Sequence, residues 1–284
     1  MPEIITISNN TLTVTISTKG AEIKSIKKNG KEIIWEGDPS VWSGQTPILF
    51  PICGGLKDDK FIYGGKEYTL EKHGYARISE FEIEKADKSS AVFLLKSNEE
   101  SLKKYPFEYE FRVFFTLDEN TLKVDYTAKN TGDKTMYYAA GAHEAYACAN
   151  GIEEWSVIFE KDEEFKRTVL NGNLLELTPV PFAENGKELP LKNEYFETDA
   201  IVLENLKSRR VTLKNRNTKE NIDVEFEGND YLLIWTKPGA NYICIEPWGA
   251  LPDFVDSDNR LEHKKGITAL AKGEEHTNSH KIIL

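Results

Sequence analysis

"YEFRVFFTLDENTLKVDYTAKN", residues 109–130, alternates apolar and polar side chains almost without a break. Successive side chains of a strand point to opposite faces, so this period of two reads as two half-buried strands. The pattern recurs in "TLTVTIS" (11–17), "EFEIEKA" (80–86), "AVFLLKS" (91–97), "SVIFE" (156–160), "RRVTLKN" (209–215) and "IDVEFEG" (222–228). Between such runs lie "KKNGKE", "YGGKEY", "NTGDKT", "LNGNLL" and "AENGKE", where Asn-Gly or Gly-Gly pairs supply the positive φ of tight hairpins. Helical signals are few. "SNEESLKKYPF" (97–107) predicts about two turns of helix, capped by Ser97 or Asn98 and ended by Pro106. "GNDYLLIWTKPG" (228–239) predicts a short turn ahead of a strand. Many short strands divided by turns predict an all-β chain folded as a large antiparallel sandwich. No low-complexity linker, charge block or repeat interrupts it, so residues 1–284 are expected to form a single domain.

Bulk composition narrows the function classes. The 36 basic and 47 acidic residues leave a net charge of −11. That disfavours nucleic acid and anionic membrane as partners, unless a local basic patch contradicts the average. The densest such patch, Ser208–Arg216, reads as solvated strand and turn charge. Three cysteines, Cys53, Cys148 and Cys244, are an odd number without CxxC spacing, which predicts buried free thiols rather than disulfides or a zinc knuckle. The start "MPEIITISNN" has no leader pattern, and no apolar run approaches the ~20 residues of a membrane helix. A cytoplasmic location is expected.

Three places set ionisable groups among apolar or small residues. "EKHGYARISEF" holds His73 and Arg77, "GAHEAY" holds His143, and "NYICIEPWGALPD" ends a buried strand, Tyr242–Ile245, on Glu246, followed by Pro247 and Trp248. A carboxylate held there against an indole is expected to have a raised pKa, which suits proton exchange near neutrality. Each also has a plain reading: His73 as a loop residue, His143 as the partner of Glu144, Glu246 as a strand-end cap. Glu144 would point away from the face of His143 in a strand, so the two are not paired. His263, His276 and His280 lie in charged, tail-like sequence and read as structural or solvated. No histidine pair has the spacing of a zinc site, no GxSxG elbow is present, and no glycine-rich loop opens a helix. Neither a metal nor a nucleotide cofactor is expected.

"PILFPICGGLKD", "HGYAR", "GAHEAY", "FETDAIVL" and "CIEPWGALPD", in this order, resemble the aldose 1-epimerase (galactose mutarotase) superfamily, and within it the LacX-type branch. The likeness runs from "GAEIKSI" to "GITALAKGEE". It implies a β-supersandwich and a cofactor-free isomerase acting on a small-molecule sugar, and it leaves monomer and dimer both open. By the resemblance, Glu246 is the general base on the anomeric hydroxyl and His143 protonates the ring oxygen. The small residues around His143 would leave room for a sugar ring. His73 supports the substrate, Asp199 binds sugar hydroxyls, and Arg77 holds a hydroxyl or charged substituent. Trp248, Trp235 and Tyr75 are candidates for an apolar face against the sugar. One position departs: Gly55 stands where relatives commonly carry arginine, which would change the sugar that fits. Three rivals stay open: a hexose-6-phosphate epimerase, a catalytically silent sugar-binding protein, and a retaining glycosidase using Glu246 and Asp199. The overall acidity favours neutral sugars over phosphorylated ones unless the cleft itself is basic.

Overall fold

Residues 109–130 fold as their alternation predicts. In the computed structural model, which describes Met1–Leu284, the strands Tyr109–Asp118 and Thr121–Asn130 pair with Leu117 opposite Leu122 and Phe115 opposite Val124. These residues are buried, while Thr116 and Lys123 on the other face are exposed. The two strands lie within a nine-stranded antiparallel sheet. Its order is Gly186–Pro190, Trp155–Glu163, Arg210–Asn215, Asn221–Glu225, Glu275–Ile283, Thr121–Asn130, Tyr109–Asp118, Ser90–Lys96 and Glu82–Ala86. A four-stranded sheet, Glu144–Ala147, Tyr242–Trp248, Tyr231–Trp235 and Ile201–Leu203, packs against it. A second four-stranded sheet is built from the first strands, Ile4–Ser8 to Lys31–Glu32.

The inward faces of all three sheets meet in a cluster of 61 buried apolar residues drawn from Ile7 to Leu284. Burying one large apolar side chain stabilises by roughly 1.5–3 kcal/mol, against about 0–1 kcal/mol for an exposed ion pair. The core therefore outweighs the surface charge pairs, and the chain is the antiparallel sandwich its alternation predicts. The cysteines are free and buried. No helix is long and apolar enough to cross a membrane.

Local signals hold where backbone geometry alone decides. Asn29-Gly30 and Gly64-Gly65 take positive φ and close tight hairpins, and Gly172 does so between Leu170–Asn171 and Leu174–Leu175. The helix Glu99–Lys104 is capped by Asn98, whose Oδ1 accepts from the backbone N–H of Glu100 and Ser101. A turn at Glu227–Gly228 precedes the strand Tyr231–Trp235. "NTGDKT" and "AENGKE" do not make tight hairpins. Their asparagines also bond to distant backbone: Asn130 Nδ2 donates to Leu270 O at 2.8 Å as well as to Lys134 O, and Asn185 Oδ1 accepts from Phe165 N at 3.1 Å.

The last strand departs furthest from expectation. The charged segment holding His276 and His280 reads as tail-like, yet Glu275–Ile283 runs through the middle of the large sheet. Its alternation is real, but the inward residues are Asn278, His280 and Ile282, two of them polar. His276 is exposed, with Nδ1 at 2.8 Å from the Tyr138 hydroxyl, and His263 lies in solvent beside exposed Asp258, so both match the solvated reading. His280 is buried in the core between sheets, with Nε2 at 3.1 Å from Oε1 of equally buried Glu144. Glu144 thus points away from His143, and its partner comes from the far end of the chain.

A buried polar group that loses its partner costs about 1–3 kcal/mol. Glu144→Leu and His280→Leu are each expected to lower the unfolding free energy by an amount of that order, read from a lowered urea midpoint. The double variant is expected to lose less than their sum, because neither orphan is left behind. A double-mutant cycle by urea denaturation checks this; strict additivity would mean the two side chains do not stabilise each other.

Candidate active site

Every residue of the strand Tyr242–Trp248 is buried, since both faces are covered. Its alternation splits the side chains between two surroundings. Ile243 and Ile245 join the main core, while Glu246 and Trp248 line a cleft on the opposite face. The neighbouring strand pairs with Glu144 opposite Ile245 and Ala145 opposite Cys244, and a bridge continues this register to Gly141 opposite Trp248. The same register sets His143 opposite Glu246. Directly opposed side chains share a face, and His143 Nε2 lies 3.4 Å from Glu246 Oε2.

Both groups are nearly closed off, their side chains 11% and 2% exposed. Trp42 stacks on the imidazole of His143 at 5.3 Å and 30°, and Trp235 meets it edge-on at 5.7 Å. Burial opposes charge on both partners. It pushes the His143 pKa down to about 3, and raises that of Glu246 well above the usual carboxylate range, where Asp199 and Glu144 add repulsion against nearby Lys72. The raised carboxyl expected from the sequence is therefore present. The partner differs from expectation: burial favours the neutral form of both groups, so a proton shared by the pair is held by Glu246 in preference to His143.

His73 closes the other side, edge-on to His143 at 5.7 Å and to Trp248 at 5.3 Å. Its Nδ1 accepts from the Gly54 N–H at 3.2 Å. Burial, with the neighbouring His143, Lys72 and Arg77, holds its pKa well below the ordinary value. A neutral ring accepting at Nδ1 carries its proton on Nε2 and is a donor there. Gly74 explains the "HG" pair: φ is +68°, and a Cβ would lie 2.4 Å from the Phe50 carbonyl oxygen.

Gly141 of "GAHEAY" makes room for an aromatic neighbour. A Cβ at Gly141 would lie 2.9 Å from both Cys53 Sγ and Trp248 Cδ1. The space that Gly141 leaves is thus taken by the Trp248 indole, whose Nε1 donates to Ala142 O at 3.0 Å, while His143 itself lines the cleft. Tyr75 is no cleft wall; its hydroxyl donates to that of Tyr109 at 3.1 Å, under the core.

The cleft encloses about 660 Å³, and His73, Arg77, Asp199, Trp248, His143 and Glu246 all line it. Asp199 takes φ +95°, accepts from Ala200 N–H at 2.8 Å and faces Lys72 Nζ at 3.8 Å. Arg77 lies 4.0 Å from Glu71, and its buried Nε has no protein partner. Lys19 and Lys24 add two more cations to the wall, with Lys24 bound to Glu22 at 3.0 Å. The wall is thus far less acidic than the chain average. Gly55 is not on it. Its φ is ordinary, but a Cβ would lie 2.8 Å from Asn173 Cβ, so the hairpin of residues 170–175 occupies the place a larger side chain would take. Beneath it a buried ion pair, Lys264 to Asp253 at 3.0 Å, ties "ALPD" to this loop.

Trp42, Lys72 and Lys264 were not singled out from the sequence. Lys72 directly precedes the "HGYAR" motif, a signal open to reading; Trp42 and Lys264 have no such mark. Cys244 adds another convergence: its Sγ, His143 and Glu246 have donor atoms within 4.8 Å of one another. A ligand cluster that spacing along the chain did not reveal is thus assembled by strand register.

Comparison with known proteins agrees with this architecture. The aldose 1-epimerase family model matches residues 3–282. The plasmid-encoded protein LacX of Lactococcus lactis subsp. lactis is 35% identical, over 99% of both chains. A galactose mutarotase related enzyme from Lactobacillus acidophilus superposes with a TM-score of 0.91 at 34% identity, covering 99% of this chain and 97% of that one. A galactose mutarotase-like protein from Lactobacillus casei gives 0.93 at 29% identity, over 99% of both. With the sandwich, the motif order and the cleft already in agreement, these matches establish that the chain belongs to the aldose 1-epimerase family.

Proposed function

We propose that this protein is an aldose 1-epimerase that interconverts the α and β anomers of a hexose, with His143 and Glu246 as its acid–base pair. The observation that carries the reading is the 3.4 Å contact between His143 Nε2 and Glu246 Oε2 at the wall of the cleft. The two oxygens of a hemiacetal share one carbon, so neighbouring donor and acceptor groups can serve both. The proton first passes from Glu246 to His143 across their contact. Glu246 then takes the O1 proton of the sugar, the bond from C1 to the ring oxygen breaks, and His143 gives its proton to that oxygen. The aldehyde turns about C1–C2 and the steps reverse on the other face. Protons balance and no redox change occurs. One such acid or base contributes roughly 10²–10⁴ in rate, so the pair supplies on the order of 10⁴–10⁸. His73 Nε2–H, Asp199 and Arg77 would hold ring hydroxyls, and Trp248 would meet the apolar side of the sugar.

The cations Lys19, Lys24, Lys72 and Arg77 favour a second reading, in which the hexose carries a phosphate. Against it, Lys24, Lys72 and Arg77 already face Glu22, Asp199 and Glu71, and a dianion would have to compete with these carboxylates. Neutral hexoses are therefore expected to be preferred. Polarimetry on fresh α-glucose, α-galactose and α-glucose 6-phosphate checks this, and a kcat/KM at least tenfold higher on the phosphate would establish the second reading. Sugar binding without any acceleration would leave a carbohydrate-binding protein of the same fold.

Glu246→Gln and His143→Asn nearly preserve shape but remove the transferable proton or its acceptor. Each is expected to lower kcat by about 10²-fold or more, with a smaller effect on sugar binding. Near-normal turnover in a folded variant would remove that residue from the mechanism.

The pH profile follows from burial. The active pair holds one proton. It gains a second only as pH falls toward the His143 value of about 3, and loses its proton as pH rises through the elevated Glu246 value. Background-corrected kcat/KM is expected to be flat above pH ~4 and to fall on an alkaline limb placed above the ordinary carboxylate pKa of ~4.3. A profile that instead rises through pH ~6.5 to an alkaline plateau would mean an ordinary exposed imidazole is the essential base.

A further inference from the structure

We propose that His143, Cys244 and Glu246 form a site for one thiophilic divalent cation, of the Zn²⁺ class, whose reversible binding at the cleft wall shuts off turnover. The three donors are the nitrogen, sulfur and oxygen set that Zn²⁺ accepts. Their donor atoms lie within 4.8 Å of one another, and His143 Nε2 is 3.4 Å from Glu246 Oε2. Ligands on one tetrahedral zinc, bound at its usual lengths, sit about 3.3–3.6 Å apart. The imidazole–carboxylate edge already has that length, and the thiol needs to close by no more than about 1.5 Å to complete the face.

Register explains why the three meet. Cys244 and Glu246 are two apart on one strand and share a face, and Ala145 and His143 stand opposite them on the next strand. Because residue 145 is alanine, no side chain larger than a methyl stands between the Cys244 thiol and the His143 ring on that side. His143 and Glu246 line the cleft, which leaves a coordination position facing it for water or a sugar hydroxyl. Three protein ligands with one open position is the arrangement of an accessible rather than a structural zinc.

Reversibility follows from the surroundings. A tightly held zinc histidine donates its other ring N–H to a fixed acceptor. Here His143 Nδ1 is buried without a partner, so aromatic packing but no hydrogen bond holds the ring for ligation. The cation would also occupy both groups of the proposed acid–base pair. The inhibition therefore rests on the epimerase reading, while the binding does not.

Two measurements keep these apart. Co²⁺ is added to the whole protein, and the thiolate-to-cobalt charge-transfer band in the near ultraviolet is followed, with back-titration by Zn²⁺. The band is expected with wild type and with Cys148→Ala, and is expected to be lost in Cys244→Ser, whose folding is checked by its circular dichroism and melting. Glu246→Gln, which keeps the thiol and the shape, is expected to weaken Co²⁺ affinity by about tenfold or more. In polarimetry, Zn²⁺ is expected to inhibit competitively with the sugar, at about tenfold or more higher concentration in Cys244→Ser, relative to that variant's own zinc-free rate. No band with Cys244 intact, or a band unchanged in Cys244→Ser, would overturn the site. A band that depends on Cys244 in a protein with no epimerase activity would uphold the site and overturn the functional reading alone.

Discussion

One register holds the candidate site together: the pairing of residues 141–147 against the strand Tyr242–Trp248. It sets Gly141 against Trp248, His143 against Glu246, and Ala145 against Cys244 on one face, and Glu144 against Ile245 on the other. A slip of one residue would move the whole set to the opposite face. His143 would then enter the core and Glu144 the cleft. The buried contact from Glu144 to His280 works against such a slip, because its partner sits on a different sheet. Packing does so as well, since Trp248 occupies the space that only glycine leaves at position 141.

Burial then decides the chemistry. A histidine and a carboxyl 3.4 Å apart in water would form an ion pair, but desolvation penalises charge on both. Disfavouring charge on both groups suits the single shared proton that the proposed ring opening calls for. Aromatic rings on two sides, Trp42 and Trp235, exclude water from the imidazole without competing for its nitrogens. The surrounding wall departs in charge from the chain as a whole. A net charge of −11 is mostly outward, while the cleft gathers Lys19, Lys24, Lys72 and Arg77. Average charge therefore says little about the ligand.

Glycine plays two different parts near the cleft. Gly74 is required because its φ is positive and the Phe50 carbonyl lies against it. Gly55 has an ordinary φ and is small because the 170–175 hairpin lies over it. From the sequence alone Gly74 belongs to a matching motif and Gly55 departs from one. At Gly55 the hairpin takes the space a larger side chain would need.

Alternation made most of the large sheet legible, because an apolar side chain leaves water wherever the strand's partner lies. The motif order likewise marked His73, Arg77, His143, Asp199, Glu246 and Trp248 as residues of one cleft. Where inward positions are polar the signal fails. Asn278 and His280 are buried with hydrogen-bond partners from distant residues, Gly228 O and Glu144, and the segment reads as a charged tail until those partners are in place. The same holds for Trp42 over His143, Cys244 beside Glu246, and Lys264 against Asp253. Local sequence determined which residues could form strands and turns, since those preferences act within a few residues of chain. Which side chains share a face, which protonation state they hold and what fills the space beside them were decided by the tertiary structure, because contact, desolvation and charge act through space.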